Sequence, residues 1–247
     1  MDSKLWLNEA IALKPKFWQA LYNRGIVEND LNRHKEAMAD FNKTIKSNPN
    51  FANAYHNRGI LKSELKDYEG AIADFDKAIE LGLNSFEVYY HRAFAKTALD
   101  KYDAAVSDYD KVIELNQDLV EVYNILGIFR SELGQYDEAL ADYAEAIRIK
   151  PDCAEAYTYR GVLKTHLGRI NKAKSDFQKA LELAEQQKKD DVIVFVENQL
   201  QQLNQVTPRQ RNKKPRRGGQ WKGKVKTAED FDELSESSMA SFHGEDE

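Results

Sequence analysis

A single cysteine, Cys153, occurs in 247 residues. No intrachain disulfide can form, which excludes a disulfide-stapled scaffold and fits a reducing compartment. Proline and glycine are also scarce, at 5 and 12, too few for an all-β or loop-rich chain. No apolar run reaches the roughly 18 residues that a membrane helix needs. The N-terminal stretch 1–13 carries Asp2 and Glu9 and lacks the apolar core of a secretory leader. Together these absences point to a soluble, cytoplasmic protein. Missing too are a phosphate-binding glycine loop, a zinc-ligand set and a nucleophile motif. The chain therefore reads as a non-enzyme with no cofactor and no metal.

What is present is helical material. Stretches rich in Ala, Glu, Lys, Leu and Ile favour helix, and aromatics at 11% supply bulk for a core. The formal net charge of −5 is unevenly placed. From Pro208 onward stand 9 of the 36 Lys/Arg and 8 of the 41 Asp/Glu, so the rest carries 27 basic against 33 acidic residues. An acidic body argues against bulk nucleic-acid binding by the folded part, because phosphate contact needs a positive face.

The chain repeats itself. Tyr22-Asn-Arg-Gly25, His56-Asn-Arg-Gly59, Tyr90-His-Arg-Ala93, Asn124-Ile-Leu-Gly127 and Thr158-Tyr-Arg-Gly161 recur every 34 residues. Ala37, Ala71, Ala105, Ala139 and Ala173 keep the same step, each followed four residues later by an aromatic: Phe41, Phe75, Tyr109, Tyr143, Phe177. Each unit reads as two amphipathic helices. In the second unit they run from Ala52 to Leu65 and from Glu69 to Leu81, joined by a turn at Lys66-Asp-Tyr68. Pro15, Pro49 and Pro151 fall at unit ends, where a helix must stop. Gly59 and Ala71 lack bulk, so they are expected to face each other across a close helix pair, with Tyr55 and Phe75 filling the space around it. One pair cannot bury its apolar face alone, and stacked neighbours can.

This pattern resembles the tetratricopeptide repeat: the same period, a small residue in the first helix, Ala-x-x-x-aromatic in the second and a terminal proline. The resemblance covers 18–187 as five full units and implies an all-α, right-handed solenoid of helix-turn-helix repeats. Residues 1–17 look like the second helix of a preceding unit, with Trp6, Ala10, Ile11 and Pro15 in phase. Residues 188–206 read as a terminal capping helix, with Val192, Phe195, Val196, Gln199, Leu200 and Leu203 in a partial apolar stripe. The pattern is broken where Arg24, Arg58, Arg92 and Arg160 replace the usual leucine, and where Leu83, Gln117 and Glu185 replace the proline.

In such a solenoid the first helices line the concave face. The resemblance then assigns a peptide-binding groove to Tyr22, Asn23, His56, Asn57, Tyr90, His91, Asn124 and Thr158. Ile26, Ile60, Phe94, Ile128 and Val162 lie one turn on, as groove or as core. One subgroup of the family grips carboxylates with Lys, Asn and Arg. Here Glu87 and His91 replace the expected cations of the third unit, so that clamp is not carried over. His56 and His91 could approach each other on neighbouring helices and read as groove-lining polar groups rather than a metal site. Cys153, in a turn after Pro151, reads as an ordinary thiol. Period-locked charges suggest a further contact. Asp40, Asp74, Asp108, Asp142 and Asp176 occur in every unit and Arg24, Arg58, Arg92 and Arg160 in four. Leu126 leaves Asp142 without the arginine of its own unit.

Composition changes at Thr207-Pro208. Residues 209–226 hold every cation of the tail and 227–247 every anion, a charge segregation that argues for disorder in 207–247. Trp221, Phe231, Leu234 and Phe242 are spaced as anchors for a partner. The segment 222–233 resembles the tails of bacterial antitoxins that neutralise PIN-domain ribonucleases, though the DNA-binding part of an antitoxin is absent.

Three functions are thus expected in turn. The first is a scaffold or adaptor that holds a peptide or helix in the groove. The second is an antitoxin-like regulator whose tail binds an enzyme. The third, resting on the basic block 209–226 alone, is an RNA-associated adaptor.

Overall fold

The computed structural model describes residues 3–205. The expectations placed on 207–247, including Trp221, Phe231, Leu234 and Phe242, lie outside the described residues. Among those described there are helices and no strand. In chain order they are α1 (Ser3–Leu13), α2 (Trp18–Asp30), α3 (His34–Ser47), α4 (Ala52–Glu64), α5 (Tyr68–Glu80), α6 (Phe86–Ala98) and α7 (Tyr102–Leu115), then α8 (Val120–Glu132), α9 (Tyr136–Ile149), α10 (Ala154–His166), α11 (Ile170–Gln187) and α12 (Asp190–Gln205). They group into two compact units, Met1–Leu115 and Asn116–Glu247. None is long and apolar enough to cross a membrane.

The first unit consists of α1 and three antiparallel hairpins, α2–α3, α4–α5 and α6–α7. Each hairpin turns through one left-handed residue, Asn32, Lys66 or Asp100, at φ 55, 63 and 56°. None is glycine, and each turn carries the cost of holding a side chain in that conformation. Asp67 strengthens the second turn, its side chain accepting from the amide of Gly70 at the start of α5. The aromatics Phe41, Phe75 and Tyr109 are buried in the three hairpins, each stabilising its pair by about 1.5–3 kcal/mol of removed apolar area. Gly59 lies against Phe75 rather than against Ala71: a Cβ on Gly59 would stand 2.6 Å from a ring carbon of Phe75. The small residue makes room for the ring, and the alanine four residues earlier is buried beside it.

The second unit repeats the plan in α8–α9 and α10–α11, followed by α12. Its hairpin turns use glycine, Gly134 and Gly168 at φ 79 and 71°, where the left-handed conformation carries no side-chain penalty. Gly127 and Gly161 lie against Tyr143 and Phe177. Val196 and Leu203 of α12 bury against Ala173, Phe177 and Ala180 of α11.

The repeated arginines and aspartates pair within each hairpin. Arg24 meets Asp40 through Nε at 2.7 Å and Nη2 at 2.8 Å. Arg58 meets Asp74 at 2.8 and 2.6 Å, Arg92 meets Asp108 at 2.9 and 2.6 Å, and Arg160 meets Asp176 at 3.0 and 2.8 Å. The fork geometry satisfies both carboxylate oxygens, and every one of these aspartates is buried. A lysine one turn after the arginine adds a second cation: Lys62 on Asp74 at 2.7 Å, Lys96 on Asp108 at 2.6 Å, Lys164 on Asp176 at 2.5 Å. Arg58, Arg92 and Arg160 also lie over Tyr55, Tyr89 and Tyr157, 5.4–5.6 Å from the ring centres. Asp142 is served from the lysine position instead, by Arg130 Nη1 at 2.7 and 2.8 Å.

In the first unit the ladder also joins hairpins. The free Nη1 donates backwards to the preceding second helix: Arg24 to Asn8 at 2.9 Å, Arg58 to Asn42 at 2.7 Å and Arg92 to Asp76 at 2.6 Å. Asn8 lies on α1, so α1 stands toward α2 as α3 stands toward α4.

Candidate functional site

The ladder occupies one side of each first helix and leaves the other to different residues. In the first unit α2, α4 and α6 set Tyr22, His56, Asn57, Tyr90 and His91 half-buried, with Asn23 exposed. Tyr22 and Asn57 are brought together: Asn57 Nδ2 donates to the Tyr22 hydroxyl at 2.9 Å. The Tyr22 ring stands edge-on to Phe51 at 4.9 Å, so it is fixed on both sides. Burial raises the Tyr22 pKa and the bond from Asn57 opposes that. The phenol stays neutral, with its own O–H left to donate.

His56 and His91 also meet, with ring centres 5.4 Å apart. His91 stacks on Phe75 at 6.1 Å and 18°, and His56 tilts against the same ring at 5.9 Å. Burial drives the His56 pKa down to about 4, against a small pull from Glu87. Burial likewise drives His91 to about 3, helped by His56. Both imidazoles are therefore neutral near pH 7. His56 Nε2 is buried without a hydrogen-bond partner, an unsatisfied group of the kind native interiors seldom retain. Among the described residues no group of three or more His, Cys, Asp or Glu could hold a metal ion. Tyr90 packs edge-on to Tyr109 at 5.9 Å and to His91 at 5.8 Å. Ile26, Ile60 and Phe94, one turn on, are half-buried.

In the second unit the corresponding positions turn inward. Thr158 is buried and its hydroxyl donates to the Ala154 carbonyl one turn back at 2.9 Å. Asn124 is buried and its Nδ2 lies 3.6 Å from Cys153 Sγ, while its Oδ1 has no partner. The thiol reaches Glu155 at 3.5 Å, and Glu155 pairs with Lys189 at 2.5 Å. Burial pushes the Cys153 pKa up, so the thiol stays protonated and unreactive. Sequence pattern does not reveal this chain of contacts, because it joins residues from three separate segments. The Tyr22–Asn57 bond is half-signalled, since both residues fall among the expected groove positions.

Patterns of the tetratricopeptide repeat match the chain at residues 6–54, 52–82, 86–119, 108–141 and 154–187, and the TPR repeat at 131–168. No curated protein matches it by sequence. Among solved structures it is similar to YrrB, a TPR protein with an unusual peptide-binding site. The TM-score is 0.70 at 21% identity, covering 78% of this chain and 97% of that one. It is similar to MamA with a TM-score of 0.63 at 27% identity, covering 67% and 96%. The C-terminal part of a TPR repeat-containing protein of Cytophaga hutchinsonii aligns with a TM-score of 0.71 at 15% identity, covering 84% of each chain. With the 34-residue step, the small residue seated on an aromatic ring and the family patterns matching from residue 6 to residue 187, the chain belongs to the tetratricopeptide-repeat family.

Proposed function

We infer that this protein is a non-catalytic scaffold and that the first-helix face of its first unit holds a peptide or helix of a partner protein. The observation that carries the reading is the division of labour around each first helix. Arg24, Arg58 and Arg92 are committed to Asp40, Asp74 and Asp108 on the second helices. The opposite side presents a row of half-buried neutral groups: a phenol, an amide and two uncharged imidazoles. Large amphipathic rings of this kind supply contact area at low entropic cost and concentrate binding energy. Asn57, already oriented by Tyr22, keeps its carbonyl for a backbone amide of an extended or helical ligand. No cation belongs to the row and Glu87 borders it, so an acidic ligand is disfavoured and a neutral or basic one is accepted. YrrB, a repeat protein of the same fold, has a peptide-binding site of its own.

The test is selection of peptides from a random library on the full chain, followed by titration of the best against variants. Asn57→Ala and His91→Ala are expected to weaken binding about tenfold each, the equivalent of roughly 1.4 kcal/mol. Glu80→Ala, on an exposed second-helix surface, is expected to leave it unchanged. Failure to select any peptide, or equal affinity across all three variants, overturns the reading.

A further inference from the structure

The outer face of α12 is left uncovered by the described residues. Val196 and Leu203 point into the unit, and on the far side of the helix Val194 is 58% and Phe195 37% exposed. These are unusual residues for the outside of a terminal helix, whose role in a repeat array is to present a polar surface. Around them stand Asp190, Asp191 and Glu197, all exposed. α12 contains no Lys or Arg, and no ion pair among the described residues engages those three carboxylates. Asp190 and Asp191 also complement the helix dipole at the N-terminus of α12, but this leaves their outward charge unneutralised. Of the cations around α12, Lys189 pairs with Glu155 and Lys174 donates to Asn204 at 2.5 Å, and the exposed Lys188 forms no ion pair with the three carboxylates.

The chain itself carries the complement. Four residues past Gln205 begins the block 209–226, with all nine cations of the tail, no acidic residue and one large aromatic, Trp221. Charge and apolar character match in both senses: cations for Asp190, Asp191 and Glu197, an indole for Val194 and Phe195. Reach is ample. Returning along α12 from Gln205 to Phe195 takes about 15 Å at 1.5 Å per residue. The 16 residues from Gln205 to Trp221 extend up to about 53 Å. A tethered segment meets its site at an effective concentration in the millimolar range, so individually weak contacts suffice.

We propose that the basic segment 209–226 docks on the outer face of α12, covering Val194 and Phe195 and pairing with Asp190, Asp191 and Glu197. The proposal is independent of the peptide face of the first unit.

The experiment places a benzophenone amino acid at position 194 of the full chain, and the crosslinked peptides are identified by mass spectrometry. Crosslinks into 209–226 are expected at about 0.1 M salt, where the screening length is about 10 Å, and their loss at 1 M. Loss is also expected in Asp190→Lys/Asp191→Lys, and in Arg216→Glu/Arg217→Glu, which leaves the residues of α12 untouched. No crosslink into the segment, or one indifferent to both charge reversals, overturns the proposal. So does RNA bound to the block with α12 equally accessible in wild type and in Arg216→Glu/Arg217→Glu.

Discussion

The two units are built from the same repeat, yet they invest its variable positions differently. In the first, three complete arginine clamps each hold a buried aspartate and the preceding second helix, and the first helices present Tyr22, His56, Asn57, Tyr90 and His91. In the second, Leu126 removes one clamp and Ala144 removes the backward partner of another, because Arg160 has no side-chain acceptor there. The matching positions Asn124 and Thr158 are spent on internal contacts. The exposed face of a first helix can take any residue only where other residues fix the helices beneath it. The first unit meets that condition through the ladder, and the second meets its needs with glycine turns and inward polar groups.

The largest expected effect comes from breaking a clamp. Asp74→Ala leaves Arg58 and Lys62 facing each other without their carboxylate and costs about 3 kcal/mol. Arg58→Ala costs less, because Lys62 stays on Asp74. Thermal or urea unfolding of the full chain measures both, and equal losses for the two variants would contradict the shared-carboxylate geometry.

The imidazole pair separates the units by pH. The folded-state values of about 4 for His56 and about 3 for His91 lie below the ordinary 6.5. The folded protein therefore binds fewer protons than the unfolded chain in that window. The stability this contributes is complete above about pH 6.5 and is lost as pH falls toward about 4. The loss amounts to about 2 kcal/mol or more. Replacing both histidines with phenylalanine is expected to flatten the profile relative to wild type, measured as the midpoint of urea unfolding from pH 7 to pH 4.

Two smaller changes sharpen the comparison by making one unit resemble the other. Ala144→Asn gives Arg160 Nη1 the acceptor that Asn42 gives Arg58, and is expected to stabilise by about 0.5–1.5 kcal/mol. Lys66→Gly places in the first unit the turn residue the second unit uses, and is expected to stabilise by about 0.5–1 kcal/mol through relief of the left-handed strain. An unchanged melting temperature in either variant would show that the feature it restores carries no energy here.

Much of the fold was legible in the sequence because a 34-residue step fixes register better than any local propensity. The second hairpin, expected at Ala52–Leu65 and Glu69–Leu81, stands at Ala52–Glu64 and Tyr68–Glu80. The arginine–aspartate pairing was equally readable, since two opposite charges locked to one period have few reasons to be so. Less readable was which atoms meet. Gly59 and Ala71 look in sequence like two small residues facing each other, whereas Gly59 makes room for the ring of Phe75. Lys62, Lys96 and Lys164 resemble ordinary solvent-facing lysines, and only the structure brings them onto the buried aspartates. Arg130 stands at the same position as those lysines, and its rescue of Asp142 depends on reach, which spacing does not encode. The candidate site was legible as a set of positions and not as contacts: the sequence places Tyr22, Asn57, Asn124 and Thr158 on first helices alike, and packing decides which turn outward.

The claim that recognition belongs to the first-helix face of the first unit is tested most directly by photocrosslinking the full chain to a selected peptide. A benzophenone amino acid is placed in turn at the exposed Asn23, at Asn57 and, on the second helices, at the exposed Lys46 and Glu80. The account predicts crosslinks from positions 23 and 57 and none from 46 or 80. Crosslinks from the second-helix positions, or from all four alike, would contradict it.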